Sequence, residues 1–426
     1  MVFIDWHATV NEAAGAILRL PSGRPKIAVV RLSPLLNGLD FCFDLFNGTL
    51  RMNTKHSPVV AVASRFARAA RALLVGAAAT AVFAGTVLSV TSQAKAWDAI
   101  GHRTITWLAM DGLKDDMPAF LKDQSVRAGI AWQAAEPDRW RGLKNPYIMN
   151  TTYGDHFIDV EDLKDFGLTL ETVSPLRYRF VRDMAVARHV HPMGPDEKGE
   201  PYNERLDPTG QKQWTGFVPH AIVENHAKLM SMFKTFRILE KINDPKRAPQ
   251  LEMAKANIAT TMGIMSHYVG DTAQPLHTTK HYNGWVGENP NGYTTARTIH
   301  AYIDGGVIAH HKLDYNALKA EQKFDIPVPG IDPWNDVITY VKRSHDKVEP
   351  LYAMEKAGKL QQSEGKAFIS ERLHDAAAML AAMYNSAWAA STPTDTDIAD
   401  FKKYDNFDVS QGPAAAAPAA NGQTAK

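Results

Sequence analysis

LEMAKANIATTMGIMSHYVGDTAQPLH, residues 251–277, is the stretch from which the rest of the chain is read. Leu251, Ala254, Ile258, Met262, Met265 and Val269 step by three and four, the spacing of one buried helical face. His267 and Asp271 are four apart at the end of that helix, so both side chains project from one side of it. Pro275 interrupts the helix, because it lacks an N–H and its ring clashes with the preceding turn. His277 can then turn back toward His267 and Asp271.

Other stretches repeat the helical period. Ile222, Leu229, Phe233 and Phe236 mark one helix. Asp332-Pro333 offers a capping carboxylate and a proline at the first helical position of a second. A third runs from about Ser363 to Trp388 through Ile369, Leu373, Ala377, Leu380 and Tyr384. Alternating strand-like runs are scarce and no repeat stands out. The expected fold class is all-α: one mostly helical domain over residues 97–390, with long polar connections. Residues 391–426, ending in an Ala/Pro/Gly/Gln tail, are expected to be disordered.

The segment ahead of Trp97 has the layout of an export signal. Arg65, Arg68 and Arg71 precede the uncharged run Ala72 to Val90, and Ala94 and Ala96 hold the small-residue positions of a cleavage site. Residues 52–96 are therefore expected to be a signal peptide starting at Met52, and residues 1–51 an upstream extension from a mis-called start. Cleavage between Ala96 and Trp97 would export the chain to the periplasm or beyond and leave a free α-amino group five residues before His102. Kept uncut, the same run could tether the protein to a membrane.

Of 47 basic and 46 acidic residues, ten and four precede Trp97, which leaves 37 against 42 and a formal charge of −5. A chain of that charge does not hold polyanions on a broad basic surface, so any attraction for phosphate must be local. The one cysteine, Cys42, also precedes Trp97. After cleavage, a metal would have to be held by His, Asp, Glu or the new terminus.

Candidate ligands are present in number. His267, Asp271 and His277 are joined by a second i, i+4 pair, His300 and Asp304, and upstream by Asp138 in EPDRWR and His156 in DHFID. With His102 and Trp97 this makes five histidines, three aspartates and one terminus. Imidazole and carboxylate suit zinc where thiolate is absent. Three zinc ions against three aspartates would leave a local excess of about +3, enough to hold a phosphate. Any one His-x-x-x-Asp pair is more often a surface pair or a hydrogen-bonded core histidine, and the signal lies in the conjunction. The remaining histidines fit no such pattern, although His281 stands close to His277.

With these residues in order, the chain resembles the zinc-dependent, single-strand-specific nucleases of the S-one/P-one type, in the superfamily that also holds zinc phospholipases C. The likeness runs from Trp97 to Val307, through Trp-x4-His, His-x3-Asp-x2-Gln-Pro-x-His and His-x3-Asp. By motif it implies one zinc on Asp138, His156, His267 and Asp271. A second would sit on the Trp97 amino nitrogen and carbonyl with His102 and Asp271, and a third on His277, His300 and Asp304. Arg141 and Asp159 fall where the family keeps a phosphate-contacting arginine and a substrate-contacting aspartate, and Lys164 where some members carry a phosphate-contacting lysine. Asp138 would orient or deprotonate a metal-activated water, and Arg141 would neutralise phosphoryl charge.

The resemblance implies an exported phosphodiesterase that cuts single-stranded DNA or RNA and also accepts 3′-nucleotides, with no stable protein partner. The alternative is a zinc phospholipase C, the one reading in which membrane lipid is the partner. Against it, those phospholipases space the terminal Trp and first His more widely and end in His-x3-Glu after a shorter gap. Here His300 follows His277 by 23 positions and the last ligand is Asp304. A metal-binding protein without catalysis would not need Asp138 and Arg141. Two features depart from the family: many members have disulfides, and Gly305 stands where several carry a base-reading asparagine. The polar segment Arg188 to Thr215 reads as an insertion or long loop.

Overall fold

The helix expected from residue 251 onward spans Ala248–Ala273 in the computed structural model, which describes residues 97–190, 205, 207, 210 and 213–405, together with the backbone of four strands before residue 53. Its first half is amphipathic: Met253 faces solvent and Glu252 pairs with Lys255 at 2.7 Å. From Thr261 to Ala273 every residue except Ile264 is buried. The single apolar face read from the sequence therefore describes only the first half. The second half is enclosed by the helices Ala99–Asp111, Gln124–Gln133, Val218–Ile242 and Ser363–Ala389.

Small residues and hydroxyls make this enclosure possible. A Cβ on Gly263 would stand 2.3 Å from Gln133 Cβ and 2.7 Å from the Ile130 carbonyl, so the neighbouring helix approaches only because glycine is there. A Cβ on Gly270 would stand 2.8 Å from His102 Nδ1. Tyr340 donates its hydroxyl to the Val269 carbonyl at 2.8 Å, and Tyr384 donates to that of Met262 at 2.7 Å. Buried phenols are thus partnered by backbone oxygens of the central helix.

Val218–Ile242 lies against the central helix across a short turn. Asn243 closes it in the left-handed region (φ 48°), donating its N–H to the Leu239 carbonyl, a conformation that asparagine tolerates. Ile222, Leu229, Phe233 and Phe236 are all buried along its inner face. Ser363–Ala389 covers the other side and carries one buried charge, Arg372, held by Glu371 and Asp375 at 2.7 and 3.2 Å. The chain is mostly helical, as expected; between Trp97 and Asp405 the described residues show only two isolated β-bridges.

Three boundaries move. Asp332, one residue ahead of the capping position, accepts the Trp334 N–H at 3.1 Å, and Pro333 takes the capping position of the helix Trp334–His345 and not the first helical one. Arg188 to Val190 complete the helix Arg177–Val190 instead of opening a loop, with the Arg188 guanidinium over the Phe166 ring. The disordered tail expected from residue 391 is corrected to include a helix, Asp395–Tyr404. There Thr394 and Asp397 cap each other reciprocally, and Lys234 and Arg247 reach over to Asp397 and the Asp405 carbonyl.

The chain up to Thr91 forms a separate unit. Its described backbone is a sheet of Val2–Ile4, Ile27–Val30, Phe41–Phe46 and Thr49–Met52 in that order, the first pair parallel and the others antiparallel. Residues 53–96, with the expected signal and cleavage site, and residues 406–426 lie outside the described residues. Among the described residues no helix is long and apolar enough to cross a membrane.

Candidate metal centre

The buried end of the central helix presents His267 and Asp271, and four other elements bring ligands to it. His102 comes from Ala99–Asp111, Asp138 from Glu136–Gly142, His156 from the turn Tyr153–His156, and His277 from the 3-10 turn Pro275–His277. His300 and Asp304 sit on consecutive turns, Ile299–Ala301 and the π-helical Tyr302–Val307. π turns recur at functional sites because the extra residue re-aims a side chain. Every one of these eight side chains is buried.

They form three groups able to hold metal ions: His102, Asp138 and His267; His156, His267 and Asp271; and His277, His300 and Asp304. The third coincides with the expected set. The first two divide the remainder differently, joining Asp138 to His102 and leaving His267 common to both. Asp271 links them all the same: its Oδ2 lies 2.9 Å from His156 Nδ1, 3.3 Å from His267 Nε2 and 4.0 Å from His277 Nδ1, and its Oδ1 lies 3.3 Å from His102 Nε2.

Carbonyls behind the rings set which nitrogen is free. His277 Nδ1 lies 2.5 Å from the His156 carbonyl, His300 Nδ1 2.9 Å from that of Tyr282, and His267 Nδ1 2.8 Å from that of Ala134. A carbonyl only accepts, so each Nδ1 carries a proton, and in its neutral form each ring turns a bare Nε2 inward. Burial disfavours the charged form of His267 and His300, but Asp271 and Asp304 respectively outweigh it and raise both above the ordinary imidazole value. His277 Nε2 and His300 Nε2 then face each other at 3.0 Å, with Asp304 Oδ2 3.1 Å from the latter. A proton satisfies one such gap at a time; a cation among the three donors satisfies all. His156 Nε2, both nitrogens of His102, Asp271 Oδ1 and Asp304 Oδ2 have no hydrogen-bond partner. Orphaned buried atoms of this kind cost free energy unless something binds them.

The protonation tendencies follow from burial and facing charge. Burial lowers His156 to about 4 and His277 to about 3, so both remain neutral and able to ligate. Burial pushes Asp271 up, but the imidazoles of His267 and His277, the nearby ring of His102 and the bond from His156 outweigh it and hold the carboxylate well below its usual range. Burial likewise pushes Asp138 up, and His267 and Arg141 more than reverse it.

Arg141 joins the centre by donating Nη2 to Asp138 Oδ1 at 2.7 Å. Trp97 is fully buried beside it, its indole N–H bonded to the Gly270 carbonyl at 2.9 Å, while Asp98 N–H reaches the Asp304 carbonyl at 3.2 Å. The start of the expected domain is thereby fastened between the first and third groups. Asp159 stands next to the centre: Ile158 and Val160 donate their N–H groups to the carbonyls of His277 and Thr278. Burial, then Asp162 and Glu161, raise its carboxyl well above the usual range. Lys164 is not gathered in; it is exposed on the turn Val160–Phe166.

Gln274, present in the His-x3-Asp-x2-Gln-Pro-x-His motif but without a role evident from the sequence, donates to Asp304 Oδ1 at 2.7 Å. Its signal was its place between Asp271 and Pro275. The supporting carbonyls of Ala134, His156 and Tyr282 leave no mark in side-chain identity. No protein-family model matches the sequence, and neither does any curated protein sequence.

Proposed function

We propose that this chain is a zinc-dependent phosphodiesterase that hydrolyses single-stranded DNA or RNA and accepts 3′-nucleotides, acting outside the cytoplasm after cleavage between Ala96 and Trp97. The observation that carries this reading is the convergence of imidazole nitrogens and carboxylate oxygens at 3.0–3.3 Å. Tetrahedral zinc with bonds of about 2.0–2.1 Å separates its donors by about 3.3 Å. Ca²⁺ and Mg²⁺ prefer all-oxygen shells, and a five-histidine set is poorly suited to them.

Zinc held there would supply Lewis acidity toward water and phosphoryl oxygen. Asp138, kept ionised by its neighbours, accepts the proton of the attacking water. As the water oxygen bonds to phosphorus, the opposite P–O bond breaks and its electron pair leaves on the departing oxygen. Arg141, steadied by Asp138, offers guanidinium N–H groups to the phosphoryl oxygens. The motif spacing around His300 and Asp304 supports a nucleic-acid substrate over a phospholipid. The test is metal analysis of the protein beginning at Trp97, with rates on single-stranded DNA and on a phosphatidylcholine analogue. Close to three zinc ions and faster DNA cleavage are expected. Full activity without metal overturns the reading, and faster lipid cleavage replaces it with a phospholipase C.

A further inference from the structure

His281, close to His277 in sequence, belongs to none of the three metal groups. Its Nδ1 accepts the Val286 N–H at 3.0 Å, and its ring stacks on Trp285 with 3.9 Å between centres. Its carbonyl has a different partner. Tyr352, buried on the helix Val348–Lys356, donates its hydroxyl to that carbonyl and accepts the Gly284 N–H at 3.2 Å. One phenol oxygen therefore grips the chain on both sides of Tyr282 and Asn283.

Those two residues hold His300. The Tyr282 carbonyl lies 2.9 Å from His300 Nδ1, and Asn283 Oδ1 accepts the His300 backbone N–H at 3.4 Å. Gly284 permits the tight return of the chain: its φ is 99°, and a Cβ there would stand 2.7 Å from the Thr295 carbonyl. The phenol is itself seated, edge-on to Trp285 at 5.3 Å and against Tyr293 at 5.6 Å between ring centres. A short span bonded at both flanks to one fixed oxygen has little freedom to turn its carbonyl. Carbonyls behind ligating imidazoles set the ring's direction and the nitrogen it offers.

We propose that Tyr352 is a positioning residue for the group of His277, His300 and Asp304, acting on His300 through the Tyr282 carbonyl. This rests on the metal reading above. It deepens that reading by extending the support of one metal group to a helix that supplies no ligand.

The experiment uses the protein beginning at Trp97 as parent, Tyr352→Phe, Trp285→Phe, His300→Ala, and the last combined with Tyr352→Phe. Tyr352→Phe keeps the ring among its neighbours and removes both hydrogen bonds. Trp285→Phe thins the same aromatic cluster and leaves both bonds in place. In metal-free protein, exchange of the His300 Nδ1 proton is followed by NMR. It is expected to be about tenfold faster in Tyr352→Phe and unchanged in Trp285→Phe. Zinc is then titrated against a competing chelator. Affinity at the His277, His300 and Asp304 group is expected to fall about tenfold in Tyr352→Phe alone, the lower end for supporting partners because the phenol acts through another residue. In the His300→Ala background, Tyr352→Phe leaves the two remaining affinities as they were.

Zinc affinity equal to the parent's in Tyr352→Phe overturns the proposal. So does an equal weakening of all three groups, or a loss in Trp285→Phe as large as that in Tyr352→Phe. A parent that takes up no zinc overturns the metal reading instead, and the exchange rates, measured without metal, still decide whether Tyr352 holds His300.

Discussion

Gln274 fixes the direction of Asp304. Its Oε1 accepts the Leu276 N–H at 2.7 Å, which leaves Nε2 to donate to Asp304 Oδ1 at 2.7 Å. Oδ2 is left without a hydrogen bond and turned to His300 Nε2 at 3.1 Å. One amide thus decides which oxygen of a buried carboxylate is offered to a metal. Burial pushes Asp304 up, and His300 and Gln274 act in the other direction without reversing it.

Gln274→Met keeps the volume and removes both bonds. Metal affinity at the group of His277, His300 and Asp304 is expected to fall about 10–100-fold, as for other supporting partners of metal ligands. The other two groups keep their affinity. Zinc titration against a competing chelator checks this; three sites weakened alike would show that Gln274 serves the fold and not Asp304.

Arg141→Ala removes the guanidinium from Asp138 and from the site of charge development. A loss of about 10²–10³ in kcat is expected, with a smaller change in KM. Steady-state rates on single-stranded DNA test it. Unchanged kcat would remove Arg141 from the chemical step, both as a phosphoryl contact and as the support of Asp138.

Much of this arrangement was legible because it rests on side-chain identity at fixed intervals. The 3-and-4 spacing of Leu251 to Val269 gave the helix, and His267 with Asp271 gave its reactive end. What escaped depends on neighbours in space. Nothing local says that Thr261 to Ala273 is enclosed on all sides, since Gly263 and Gly270 read as weak helix formers and not as contact points. The pairing of Asp138 with His102 joins residues from separate helices. Thr394 and Asp397 form a capping box of the Thr-x-x-acid kind, overlooked because no long apolar period follows it.

Gly263→Ala tests the close approach of Gln124–Gln133 to the central helix. The added methyl meets backbone at Ile130 and the Cβ of Gln133, neither of which can swing aside. A destabilisation of about 2–3 kcal/mol, the upper range for overpacking, is expected. At this chain length it corresponds to a fall in Tm of about 5 °C. Thermal melts of zinc-loaded protein measure it, and an unshifted Tm would mean that the two helices separate at little cost.

His220 and His226 give a pH dependence away from the metal groups. Burial lowers both to about 4. His220 stacks on Phe180 with 5.0 Å between ring centres and bonds the Ser174 carbonyl; His226 bonds the Ser386 hydroxyl at 3.0 Å. The unfolded chain protonates them near 6.5 and the folded one near 4. Their neutral-form stabilisation is therefore fully present above pH 6.5 and lost as the pH falls toward 4, by up to about 3 kcal/mol each. Urea unfolding at pH 7 and at pH 4.5 is expected to show this loss. It shrinks in His220→Phe, whose ring keeps the stack on Phe180, and in His226→Gln. Equal losses in parent and variants would assign the acid sensitivity to other groups.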